Sequence, residues 1–178
     1  MSFSGGRVCF GVDPGLARVG YAAVGREGSR FRVLSYGCVE TNPQTAFIQR
    51  LLQIYEALGE RLESCAPDFM SVERLFFGRN ITTAEFVWQA RGVTMLLAAQ
   101  RGLSVIEPKP SEIKLAVCGT GRAHKTQVQR MLQRFLGLSE IPSPDDAADA
   151  LAAAVTGLLL ERAAFPSDPW RAAAEGTL

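Results

Sequence analysis

The chain has 178 residues, enough for one domain that buries its own core without disulfides or a structural metal. Its 47% hydrophobic and 21% charged residues lie near the globular average and exclude disordered and collagen-like classes. A net charge of +1 points to no class of partner, and Cys9, Cys38, Cys65 and Cys118, with no C-x-x-C pair among them, signal neither a disulfide framework nor a zinc site.

The N-terminal stretch, MSFSGGRVCFGVDPG, lacks the basic start, apolar run and small-residue cleavage site of a secretory signal, so a reducing cytoplasm is the expected location. Arg7 to Asp13 alternates and is rich in β-formers, Val19 to Val24 is short and apolar, and Phe31 to Glu40 is a third strand. Turn-length segments with glycine separate them, which predicts an antiparallel meander. Pro43 is expected to open a helix with Phe47, Leu51, Tyr55, Leu58 and Leu62 down one face, stopped by Pro67.

Phe69 to Glu73 then reads as a short strand ending in an acid, Thr82 to Gln100 as a long helix, and Leu103 to Glu107 as a fifth strand. Helices over Ser111 to Val117 and Lys125 to Leu136 follow, then a last one from near Pro144, with Ser143 placed to cap it and Pro144 at its first position. The longest apolar run, Ala147 to Leu160, is broken by Asp149 and is shorter than the roughly 20 residues of a membrane span. The order β-β-β-α-β-α-β-α-α-α predicts an α/β fold, a five-stranded mixed sheet flanked by helices. One domain over residues 1–165 and a C-terminal tail over 166–178 are expected.

Charge is uneven along this order. Between Arg74 and Arg134 ten basic residues face three acids, a balance of +7, which leaves −6 for the rest of a chain whose total is +1. A basic middle between acidic ends suits a phosphate-binding face beside a carboxylate site, although a solvated surface also accounts for it.

Asp13 ends the first strand and is followed by Pro14 and Gly15, a turn that sets its carboxylate at the rim of the sheet. The same D-P-G can be only a turn, and Glu73, at the end of its own strand, can be only a surface acid. Asp146 and Asp149 are three apart on one helix and so share a face. Asp145 and Asp146 are accounted for by the dipole of the helix they begin, but Asp149 lies in AADALAAAVTGLLL, where a charge needs a partner or a metal. Four carboxylates make an all-oxygen donor set for hard cations such as Mg²⁺ or Mn²⁺, and two such ions support in-line phosphodiester hydrolysis. His124, the one histidine, supports no Ser-His or His-pair mechanism.

With these acids in this order the chain resembles the RuvC family of Holliday-junction resolvases, whose fold is RNase H-like. The resemblance runs from about Val8 to Ala163 and rests on Gly11–Tyr21 (GVDPGLARVGY), Val72–Asn80 (VERLFFGRN), Gln89–Val93 (QARGV), Lys114–Gln129 and Asp146–Ala152 (DAADALA). It implies that Asp13, Glu73, Asp146 and Asp149 are the metal-binding catalytic acids, with two Mg²⁺ or Mn²⁺ ions per site; some relatives carry His at the position of Asp146, so ligand and base both stay open there. It implies that Lys114 and Lys125 hold phosphate or balance charge in the transition state, and that Phe76, with Phe77 beside it, meets bases at the junction. Arg74, Arg79, Asn80 and Arg122 are candidate DNA contacts.

The resemblance further implies paired symmetric nicks in four-way DNA during recombination and repair. It also implies a homodimer, with the face over Phe86, Val87, Trp88, Val93, Met95, Leu96 and Leu97 as candidate, and partnership with junction-binding and branch-migration helicase proteins. The rival readings are an RNase H-like nuclease acting on structured RNA and a non-catalytic junction-binding protein.

Overall fold

The computed structural model describes residues 6–75 and 81–164. Strands β1 (Arg7–Asp13), β2 (Arg18–Glu27) and β3 (Arg30–Glu40) form the expected antiparallel meander, and β4 (Phe69–Val72) and β5 (Ser104–Ile106) add in parallel to the other edge of β1, in the order β3-β2-β1-β4-β5. Helix α1 (Phe47–Cys65) connects β3 to β4 and α2 (Ile81–Gln100) connects β4 to β5; α3 (Pro110–Cys118), α4 (Lys125–Leu136) and α5 (Asp145–Ala164) follow. The predicted order of elements is the observed one.

Alternation along the strands sorts two cores. Phe10, Val12, Val19 and Ala23 turn to one face and pack with Ile54, Leu58 and Leu62 of α1 and Leu97 of α2. Cys9, Ala22, Val24 and Phe69 turn to the other, against Leu151 and Val155 of α5 and Val128 and Leu132 of α4. Among the described residues no helix is long and apolar enough to cross a membrane.

Helix α5 lies unusually close to the sheet. A Cβ on Gly11 would fall 2.2 Å from the carbonyl oxygen of Ala150, and one on Gly20 would fall 1.8 Å from that of Asp146. The alanines of the last helix serve this approach: Ala147, Ala150, Ala153 and Ala154 are fully buried, with side chains small enough for backbone to rest on backbone.

Two helix starts differ from expectation. Pro43 does not open α1; it sits in a turn in which Thr45 N–H donates to the Asn42 carbonyl and Gln44 N–H to Asn42 Oδ1, and the helix begins four residues later on the Ala46 carbonyl. A preset φ suits the second position of a turn as well as a first helical residue, and the Asn42 side chain decides for the turn. At α5 the Pro144 carbonyl accepts from Ala147 and Ala148, so Pro144, not Ser143, takes the capping position, and Asp145 and Asp146 open the helix.

Of the residues expected to form a dimer face, Leu97 is fully buried under the sheet, whereas Phe86 and Leu96 are exposed. Phe86 packs on Phe47 of α1 with ring centroids 5.4 Å apart.

Candidate active site

The sheet brings Asp13 and Glu73 together. Val12 and Val72 are partners in the parallel β1–β4 ladder, and the next residue in each chain is the acid. Counting in twos, Asp13 follows Cys9 and Gly11, and Glu73 follows Phe69 and Ser71, all on the α5 side. Both carboxylates therefore leave the ends of adjacent parallel strands on the face that α5 covers. Their positions were expected from the sequence, and no ion pair or hydrogen bond reaches either one among the described residues.

The close seat of α5 carries Asp146 and Asp149 to the same end. Asp13 is pushed up to about 7, first by burial and then by the charges of Asp149, Glu73 and Asp146. Burial and the charge of Asp149 raise Glu73 above the usual carboxylate range, against the pull of Lys114 and Lys125. Burial also raises Asp149, while Lys125 opposes the rise. The charges of the other three acids make Asp13 harder to ionise, and that of Asp149 does the same to Glu73, the signature of carboxylates collected at one point.

Lys125 opens α4, and its place is fixed by the cap: the Gln127 side-chain oxygen accepts from His124 N–H at 2.8 Å. Its Nζ lies 2.8 Å from Asp149 Oδ2 and 3.3 Å from Asp145 Oδ2. Burial would lower the ammonium, but the bond to Asp149 and the charges of both aspartates outweigh it and raise Lys125 above its ordinary value. Asp145, read from sequence only as a dipole acid, accepts a bond from Gln129 Nε2 and is lowered first by it and then by Lys125. Asp149, half-buried within α5, thus finds its counter-charge on a neighbouring helix.

Sequence reasoning missed Arg18. Its Nε lies 2.9 Å from Asp146 Oδ2. The signal was available in the alternation of β2: Gly20, Ala22 and Val24 face α5, Arg26 reaches the Leu158 carbonyl at 2.8 Å, and Arg18 belongs to the same row. The i,i+3 spacing does set both aspartates near Asp13, yet each has its own cation, Arg18 for Asp146 and Lys125 for Asp149.

The other expected contacts are placed unevenly. Lys114 on α3 is half-buried and acts on Glu73 through its charge. Arg74, directly after Glu73, is exposed, and its backbone N–H donates to the Pro108 carbonyl, which ties the end of β4 to the segment after β5. Arg122 is exposed at the α3–α4 turn and makes no side-chain contact with the four acids. Phe76, Phe77, Arg79 and Asn80, and the tail 166–178, lie outside the described residues.

Whether this site suits a divalent metal can be tested on its own chemistry. The donors are all carboxylate oxygens, the charges of three of them make Asp13 harder to ionise, and Asp146 Oδ2 is buried without accepting a hydrogen bond, because Arg18 meets it at contact distance but not in hydrogen-bond alignment. A hard dication answers all three features. As they stand, with Arg18 and Lys125 on two of them, no three acids among the described residues are drawn together enough to share one ion.

Comparison with known proteins follows the same lines. A family model described as crossover junction endodeoxyribonuclease RuvC matches residues 9–157. The crossover junction endodeoxyribonuclease RuvC of Heliobacterium modesticaldum is 50% identical over 148 residues, covering 83% of this chain and 91% of its own. A Thermus thermophilus RuvC structure superposes with a TM-score of 0.81 at 34% identity over 88% of this chain and 96% of that one. A second structure, T. thermophilus RuvC in complex with Holliday junction substrate, does so with a TM-score of 0.84 at 33% identity over 89% and 96%.

Proposed function

From the premise that this chain belongs to the RuvC family of crossover junction endodeoxyribonucleases, we propose that Asp13, Glu73, Asp146 and Asp149 are its catalytic acids and that it resolves four-way DNA junctions by paired symmetric nicks. The chain is an endodeoxyribonuclease of recombination and repair, acts on Holliday junctions and, like its family, depends on a divalent metal. The observation that carries the catalytic assignment is the convergence of Asp13 and Glu73 from adjacent strand ends, with Asp13 raised to about 7 by burial and by the other three acids.

The four carboxylates would hold the metal, Mg²⁺ or Mn²⁺, and two such ions when bound supply an activated water and a counter-charge for the leaving oxygen. The protein's own part is positioning. Asp13 and Glu73 are fixed by the sheet, and Asp146 and Asp149 by the seat of α5 on Gly11 and Gly20. Lys125 and Lys114 hold the backbone phosphate and balance charge growing on its oxygens as the bond breaks. Asp146, with one oxygen free of hydrogen bonds, serves as ligand or as base.

Phe76 and Phe77 are assigned to stacking on bases at the junction, and Arg74, Arg79, Asn80 and Arg122 to its backbone. A homodimer would set two such sites on a two-fold junction. The exposed Phe86 and Leu96 of α2 support that face, with Leu97 withdrawn to the core. The family supports partnership with junction-binding and branch-migration helicase proteins, and four free cysteines support a cytoplasmic location. Cleavage of a four-way DNA junction, a linear duplex and a structured RNA, compared side by side with metal present, tests the proposal. Cutting confined to the junction is expected, and cutting of the RNA at an equal rate would overturn it.

A further inference from the structure

We propose that Arg18 is a charge placeholder at Asp146, holding that carboxylate in the metal-free enzyme and giving it up when the divalent ion enters; this rests on the metal-site reading above. The backbone of Arg18 is not free to move. The preceding turn is anchored by Thr41, whose N–H donates to the Ala17 carbonyl at 3.0 Å and whose hydroxyl donates to the Leu16 carbonyl at 2.6 Å, while Arg50 Nε donates to that hydroxyl in turn. The exchange therefore falls to the side chain. The Arg18 side chain is 52% exposed, so solvent can take up the released guanidinium at little cost, whereas the Asp146 side chain is only 24% exposed and needs a cation.

The quality of the contact separates Arg18 from Lys125. Lys125 is hydrogen-bonded to Asp149 at 2.8 Å, but Arg18, at 2.9 Å from Asp146 Oδ2, leaves that buried oxygen without a hydrogen bond. It compensates charge without satisfying the acceptor. A dication can do both, so it wins the exchange once it is present.

The test is direct Mn²⁺ titration of the purified protein by electron paramagnetic resonance, on wild type, Arg18→Ala, Arg18→Lys and Asp13→Asn, with folding checked by circular dichroism. Removing the competing charge should tighten Mn²⁺ binding about three- to ten-fold in Arg18→Ala, and Arg18→Lys, which keeps the charge, should stay within about two-fold of wild type. Unchanged or weaker binding by Arg18→Ala would overturn the placeholder role, as would equal tightening in both Arg18 variants, which would mark a packing effect. Undiminished binding by Asp13→Asn would instead overturn the metal-site reading itself.

Discussion

The Cβ that Gly20 lacks would sit 1.8 Å from the carbonyl oxygen of Asp146, so the hydrogen of a β2 glycine is what allows the first turn of α5 to lie on the sheet. The end of α5 that carries Asp146 and Asp149 is thus positioned by an absent side chain. Gly11 repeats the arrangement one strand over, at 2.2 Å from the Ala150 carbonyl.

Gly20→Ala should therefore lift the start of α5 rather than be absorbed by a rotamer change, since the obstacle is backbone. An overpacking cost of about 1–3 kcal/mol is expected, with Asp146 displaced from Asp13. Denaturant unfolding together with junction cleavage would check this. A variant of wild-type stability and rate would show that the helix can move at no cost.

Lys125→Met should separate catalysis from stability. The lysine side chain is 48% exposed and that of Asp149 32%, so losing the pair should cost only about 0.5–1 kcal/mol in unfolding experiments. Cleavage should fall about 100-fold or more, because charge developing on the phosphate loses a positioned cation. Comparable small losses in both measurements would reduce Lys125 to a surface ion pair.

The acids predict an inverse pH dependence in the metal-free protein. Asp13 titrates near 7 when folded and near about 3.9 when unfolded, so folding favours its protonated form. The stability this gives is present below about pH 4 and is lost as pH rises through about 7. Glu73 and Asp149 are shifted the same way. In EDTA, Asp13→Asn should melt a few degrees above wild type at pH 8, and the gap should close toward pH 4. A gap that is independent of pH would contradict the burial and crowding of Asp13.

Much of this was legible in the chain because the signals are periodic. Alternation in Arg7–Asp13 and the helical spacing of Phe47, Leu51, Leu58 and Leu62 fixed type and order, and an acid directly after a short strand is placed by the pleat, which made Asp13 and Glu73 visible. Pro43 misled by four residues and Pro144 by one, because a preset φ suits turn, cap and first helical positions alike. Arg18 was missed because an exposed arginine after a glycine turn looks like solvent-facing charge, and its partner is 128 positions away in sequence. Asp145 was explained by the helix dipole, which hid the bonds it shares with Gln129 and Lys125. Local pattern carries such placements only when both partners lie on the same element.

The most direct measurement is cleavage of an end-labelled four-way DNA junction by wild type, Asp13→Asn and Glu73→Gln, with Mg²⁺, Mn²⁺ or EDTA, beside gel-shift binding of the same junction. Wild type should give paired symmetric nicks only with metal, and both variants should bind within about three-fold of wild type yet cut at least about 100-fold more slowly. Near-wild-type cutting by either variant, or cutting in EDTA, would contradict the four-carboxylate account.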